Sequence, residues 1–315
     1  MENESITSRI DNITGITDEY RHSKLPAPKS VKIELTSYCN YQCGFCASKL
    51  RLKARGEMDW DFFTKVTQEM RDAGVEELGM FYIGESFLVP WLPKAIKHAK
   101  DIGFSYVFCT TNGALTTKEK VKACMEAGLD SLKFSFNNTY DQFELITGVN
   151  KSNLDNMVQN MKDAFELREA GNYKCRLYAS SIQYDKKQQE NMEDMVKSIL
   201  PYVDQHYWLP LYSFGSLADQ REKELGYRPT AGNQGRIGAL RDPLPCWSAF
   251  TEGHITYDGK LSACCFDAGD RWIMGDLTKI SFMDAWNSAD FQKLREAHLK
   301  KDVTGTICEK CVAYQ

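Results

Sequence analysis

No stretch of this 315-residue chain stays apolar over the roughly 18 residues that a membrane-crossing helix needs. The opening MENESITSRID has neither the basic start nor the apolar centre of a secretory signal. Basic residues are not in excess either: 39 Lys and Arg stand against 43 Asp and Glu, a net charge of −4. No overall field therefore draws the protein to nucleic acid or to an anionic membrane. There is no low-complexity tract and no internal repeat beyond an alternation of strand-like and helix-like stretches. These absences predict a cytoplasmic protein with neither a membrane nor a nucleic acid as partner. In that reducing setting the 11 cysteines are ligands or buried thiols rather than disulfides.

A hydrophobic content of 43% is enough for a sizeable core. Strand patterns fall at 31–36, 76–83, 105–111, 131–136, 174–183 and 206–211, and helix patterns at 59–73, 91–102, 117–127, 151–169 and 186–200. Asp59 and Thr117 are suited to cap two of those helices, and Gly74, Gly103 and Gly128 fall just past three of them. Six βα units imply a parallel sheet with right-handed crossovers, too few for a closed eight-stranded barrel. Residues 1–30 read as a leader or lid, 31–212 as the barrel, 213–245 as a Gly- and Pro-rich connector and 246–315 as a small C-terminal domain.

The most informative residues are Cys39, Cys43 and Cys46, in the run C-N-Y-Q-C-G-F-C. They follow the first predicted strand, at the carboxyl end where α/β barrels place their active sites. Three thiolates this close can hold three corners of a cubane cluster and leave one iron open for chemistry. The competing reading is a zinc knuckle, but no fourth Cys or His lies in the loop. The C-x3-C-x2-C spacing, with Phe45 as the aromatic before the last cysteine, resembles the radical S-adenosylmethionine (SAM) superfamily. That resemblance implies a partial (β/α)6 TIM-like barrel, a [4Fe–4S] cluster on Cys39, Cys43 and Cys46, and SAM chelating the open iron. It also implies an electron donor such as flavodoxin or ferredoxin.

The resemblance extends to cofactor contacts. Tyr82-Ile83-Gly84-Glu85 stands where relatives have a Gly-Gly-Glu segment, with Ile83 replacing the first glycine. It assigns Gly84 and Glu85 to the methionine amino group, Thr111 and Asn112 to the region of the ribose, and Ser135 to the carboxylate, with Gln183 as a further candidate. Thr147-Gly148 stands where relatives often carry Arg-Gly, so a carboxylate-binding arginine has no place there. Lys49, Arg51, Lys53 and Arg55 alternate after the cysteine loop, as a solvated face or as an attractor of substrate phosphate or carboxylate.

A second cysteine set, Cys246, Cys264, Cys265, Cys308 and Cys311, has the form C-x12-G-x4-C followed by a terminal C-x2-C. A two-residue hairpin turn at Asp258-Gly259 would bring Cys246 back toward Cys264, and one helix over 281–299 would return the chain to the final pair. The set resembles the SPASM/twitch auxiliary-cluster domain. In its shorter, twitch-type α+β form it implies one auxiliary [4Fe–4S] cluster on Cys246, Cys264, Cys308 and Cys311, with Cys265 as an alternate for Cys264. On residues alone, four cysteines ending in C-x2-C equally describe a zinc site. Cys109, Cys124 and Cys175 read as small buried hydrophobes.

The resemblance implies an oxidoreductase-type enzyme. A 5′-deoxyadenosyl radical abstracts hydrogen from a small polar metabolite, sugar- or aminocyclitol-like, in a net oxidation or rearrangement. The rival substrate is a ribosomal peptide undergoing crosslinking, epimerisation or excision, and the non-enzymatic rival is a zinc-stabilised binding module. No catalytic proton acceptor is assignable from sequence.

Overall fold

The computed structural model describes residues 5–46, 48, 54–137, 139–183, 186–212, 234–267 and 271–311. Lys49, Arg51 and Lys53, and the connector from 213 to 233, lie outside the described residues.

Six strands follow one another in parallel: β1 (Ser30–Ile33), β2 (Glu77–Gly79), β3 (Tyr106–Thr111), β4 (Ser131–Ser135), β5 (Arg176–Gln183) and β6 (Gln205–Pro210). Between them run α2 (Trp60–Asp72), α3 (Leu92–Asp101), α4 (Lys118–Glu126), α5 (Tyr140–Thr147), α6 (Ser152–Gly171) and α7 (Lys186–Ile199). This is the expected partial (β/α)6 barrel. Asp59 and Thr117 cap α2 and α4 by accepting the N–H groups of Phe62 and Lys120. Gly74, Gly103 and Gly128 all take positive φ after their helices. Each strand sends alternate residues outward to the helices: Val31 and Ile33, or Leu132 and Phe134, are fully buried there. Their neighbours face the barrel lumen.

Strand β1 is shorter than expected because the chain beyond it pairs with the far side of the cysteine loop. Met58 donates its N–H to Leu35 O, and Thr36 bridges Glu57.

The open edge of the barrel is closed by the C-terminal region. Strand β7 (Glu252–Ile255) pairs in parallel with β1, and β8 (Lys260–Ser262) and β9 (Ile273–Asp276) continue antiparallel. The result is one nine-stranded sheet in the order β6-β5-β4-β3-β2-β1-β7-β8-β9. The segments expected as barrel and C-terminal domain therefore share a continuous hydrogen-bond ladder, with no break at residue 246.

Two local expectations are corrected. The β7–β8 turn has three residues, not two: Thr256 donates its N–H to Lys260 O, and Gly259 takes φ +78°. That is the geometry of a type I turn followed by a left-handed residue. The helix over 281–299 is two helices, α8 (Phe282–Trp286) and α9 (Ala289–Leu299). The break is at Asn287, whose side-chain amide exchanges two hydrogen bonds with the backbone of Leu25 (2.8 and 2.9 Å). Ser288 then caps α9 by accepting Phe291 N–H.

The leader contains a helix, α1 (Ile6–Thr14). It sits at the amino end of the strands. Arg9 pairs with Glu77 at 2.6 Å and lies over the Tyr106 ring, and both partners open their strands. It thus floors the barrel at the end opposite the cysteine loop. Among the described residues no helix is long and apolar enough to cross a membrane.

Candidate active site

The cysteine loop is held by backbone bonds to α5: Gln42 N–H donates to Thr147 O (2.8 Å) and Gly44 N–H to Ile146 O (2.7 Å). Cys39, Cys43 and Cys46 line a cavity of about 160 Å³ together with Phe45, Gly84, Glu85, Thr111, Asn112 and Ser135. Six of the seven residues expected as cofactor contacts thus share one cavity with the three thiols. Gln183 is not among its lining residues, and its side-chain amide bonds Gln189 at 2.6 Å. Thr147 lines the cavity where an arginine has no place, and its hydroxyl donates back to Phe143 O.

Glu85 organises this cavity. It is 3% exposed, and its carboxylate accepts from Thr111 Oγ1 (2.9 Å), Asn112 N–H (2.8 Å) and Phe87 N–H (3.1 Å). Burial raises its pKa, and these three donors offset part of the rise. A carboxylate has about four acceptor positions, so three donors leave one for an ammonium group. Gly84 allows the close approach of this segment to the cysteine loop. A Cβ there would lie 1.9 Å from Thr36 O and 2.9 Å from Tyr38 O.

The donor set fits an iron–sulfur cluster. Burial pushes the Cys39 thiol up to about 12 and Cys43 well above its ordinary value. Among the described residues no Lys, Arg or His lines the cavity to hold thiolates by charge alone. A cluster withdraws the protons by coordination instead. Tyr41 N–H and Ser48 N–H already point at Cys39 Sγ (3.5 Å) and Cys46 Sγ (3.4 Å). Such contacts stabilise ligating sulfur. Among the described residues no three His, Cys, Asp or Glu converge closely enough for a single metal ion.

The second cysteine set also converges. Cys246, Cys264, Cys308 and Cys311 line one enclosed cavity with His298, Phe266 and Trp272. Cys265 is not in that group and lines the barrel lumen instead. His298 was not singled out by sequence. Its Nδ1 accepts Cys246 N–H at 3.1 Å, and its Nε2 lies 3.3 Å from Cys308 Sγ. Burial pushes its pKa down to about 4, so the ring is neutral at pH 7. Asp267 fixes the adjoining turn, accepting from Arg271 N–H, Trp272 N–H and Ser262 Oγ.

Between these two cavities lies the lumen, about 220 Å³. Phe81 and Thr110 line both the lumen and the first cysteine cavity, and Phe266 lines both the lumen and the second cysteine cavity. Its walls are mainly apolar and include eight aromatic residues. Its charges are Arg9 on α1 and, on the strands, Lys32, Glu77, Lys133 and Glu252. Lys32 on β1 pairs with Glu252 on β7 at 2.8 Å, and Glu252 Oε2 lies 3.5 Å from His254 Nε2. Burial alone would raise Glu252, but Lys32 and His254 outweigh it and hold the carboxyl at about 2. The signal was present: a charged residue at an inward position between apolar neighbours, as in Val31-Lys32-Ile33 and Leu132-Lys133-Phe134.

The fold and the two thiol sets define a class: barrel proteins that carry one iron–sulfur cluster at the strand ends and an auxiliary centre beside it. The sequence profile of the radical SAM superfamily matches residues 33–178, and that of SPASM, an iron–sulfur cluster-binding domain, matches 246–312. The chain belongs to the radical SAM superfamily and carries a SPASM domain. A [4Fe–4S] cluster, SAM and auxiliary iron–sulfur chemistry follow from that membership.

Among curated proteins it is 34% identical over 110 residues to the tungsten-containing aldehyde ferredoxin oxidoreductase cofactor-modifying protein of Pyrococcus furiosus, covering 34% of this chain and 30% of that protein. It is 33% identical over 110 residues to the PqqA peptide cyclase of Bradyrhizobium diazoefficiens, covering 35% of this chain and 28% of that protein. The matched stretch thus spans under a third of either relative. Among solved structures it resembles BtrN in complex with AdoMet and 2-DOIA (TM-score 0.56, 15% identity, 86% of this chain and 87% of that chain). It also resembles Streptococcus suis SuiB bound to the precursor peptide SuiA (TM-score 0.65, 14% identity, 93% and 72%). At these identities the structural matches speak for the fold.

Proposed function

We propose that this protein is a radical SAM enzyme acting on a small metabolite held in the barrel lumen, in a net oxidation or rearrangement. One observation carries the reading: the lumen adjoins the cofactor cavity through Phe81 and Thr110 and the second cysteine cavity through Phe266. A substrate there lies between two redox centres. When bound, the reduced cluster and SAM supply a 5′-deoxyadenosyl radical for hydrogen abstraction, and the auxiliary centre can accept the electron left on the substrate.

The chain's own residues do the positioning. Cys39, Cys43 and Cys46 hold the cluster. Glu85 offers its remaining acceptor position to the methionine ammonium, and Thr111, Asn112 and Ser135 line the same cavity. Cys246, Cys264, Cys308 and Cys311 hold one auxiliary cluster. Helix α1 floors the lumen and keeps water from its lower end.

At about 220 Å³ the lumen is smaller than the usual ligand pocket of about 300–1,000 Å³, and its apolar, partly aromatic walls favour a compact body with an apolar face and few polar groups. That narrows the sugar-like expectation. The rival, modification of a ribosomal peptide, draws support from the PqqA peptide cyclases, a third identical over the matched stretch. A single peptide side chain could occupy the same lumen.

The test is reductive cleavage of SAM by anaerobically reconstituted protein. Wild type is expected to bind about eight irons per chain and to form 5′-deoxyadenosine, and the Cys39→Ala, Cys43→Ala, Cys46→Ala triple variant about four irons and none of that product. Cleavage persisting in the triple variant refutes the proposal.

A further inference from the structure

Among the described residues, every charged side chain lining the lumen has an ionic partner except one. Arg9 is tied to Glu77 at 2.6 Å and Lys32 to Glu252 at 2.8 Å. Lys133, inward-facing on β4, has no carboxylate within ion-pair distance among the described residues. Its Nζ lies 5.8 Å from the centroid of the Tyr207 ring. An ammonium left unpaired in an apolar cavity is costly unless an anion joins it.

Its place is equally informative. Lys133 stands two residues before Ser135, which lines the cofactor cavity. Two residues along a strand span about 6.6 Å. A small molecule tied to the Lys133 amine would occupy the lumen, which adjoins the first cysteine cavity through Phe81 and Thr110.

We propose that Lys133 is the substrate anchor, and that the lumen takes a small metabolite carrying a single carboxylate. This rests on the lumen being the substrate chamber. One lysine balances one negative charge. A phosphate carries more charge than a single amine offsets, and its desolvation in this cavity goes uncompensated. The aromatic walls cover the remainder of the molecule. Burial, and then the neighbouring Lys32, bring the lysine down to about 7 against the opposing pull of Glu252 beyond ion-pair distance, so its affinity for a proton rises again when the carboxylate arrives.

The experiment uses reconstituted full-length protein without reductant and three probes: 3-phenylpropionate, its neutral amide and phenyl phosphate, each titrated by calorimetry. The carboxylate is expected to bind about tenfold tighter than the amide, the worth of one charge-assisted hydrogen bond. Lys133→Met is expected to bind acid and amide equally, and Lys133→Arg to keep the preference. Thermal melts and iron content verify that both variants are folded. No saturable binding of the carboxylate, equal binding of acid and amide by wild type, tighter binding of phenyl phosphate, or an acid preference surviving in Lys133→Met each overturns the assignment. Because no cofactor cleavage is involved, such a failure counts against Lys133 alone. Loss of SAM cleavage in wild type counts against the proposed function.

Discussion

Replacing His298 tests how the protein tunes its proposed auxiliary centre. Because Nδ1 accepts the Cys246 N–H, the ring proton must sit on Nε2, which faces Cys308 Sγ at 3.3 Å. The imidazole is therefore a fixed donor to a proposed cluster ligand. A hydrogen bond to a charged group contributes about 1.5–3 kcal/mol, and sulfur, a weak acceptor, belongs at the lower end. Reduction adds one negative charge spread over the whole cluster, so about a third of that bond, roughly 0.5 kcal/mol, distinguishes the two redox states. At about 59 mV per 1.4 kcal/mol for one electron, His298→Leu lowers the potential by about 20 mV. The same change leaves Cys246 N–H buried without its acceptor, at about 1–3 kcal/mol of stability. The assay is an EPR-monitored redox titration in the Cys39→Ala, Cys43→Ala, Cys46→Ala background, where only the auxiliary centre reports. A variant that keeps its iron but whose potential is unchanged or higher refutes the reasoning.

Three further outcomes are expected. Gly84→Ala would force a methyl group to 1.9 Å from Thr36 O, so the Glu85 segment moves off the cysteine loop at about 1–3 kcal/mol of stability; calorimetric affinity for SAM should fall sharply. Lys32→Met leaves Glu252 buried with its main cation gone and should destabilise by about 3–5 kcal/mol in denaturant melts, whereas a variant as stable as wild type refutes the pairing. In wild type, Glu252 titrates near 2 rather than at the ordinary 4.5, a folded value below the unfolded one. Its contribution, about 3 kcal/mol at 1.36 kcal/mol per unit, is present above pH 4.5 and lost as the pH falls toward 2. Stability measured against pH in Glu252→Gln should be flatter across that window than in wild type.

What the sequence determined by itself was whatever local chemistry encodes. Alternating apolar residues, caps such as Asp59 and Thr117, and glycines such as Gly74 recur with the period of βα units, and that repetition defines the barrel. The spacing of Cys39, Cys43 and Cys46 keeps three thiols in one loop, and the closing C-x2-C keeps Cys308 beside Cys311, because residues a few positions apart stay close in any fold. Tertiary structure decided what depends on contacts between distant segments. Only the pairing of β7 with β1 brings Glu252 to Lys32, 220 residues away, and makes one sheet of two expected domains. Only the turn held by Asp267 places Cys264 in the second cysteine cavity and Cys265 in the lumen wall. Asn287 breaks a helix because Leu25 lies beside it, which no 3.6-residue period reveals. Lys133 is an ordinary strand lysine until the sheet curls and leaves it facing a cavity in which every other charge among the described residues is already paired.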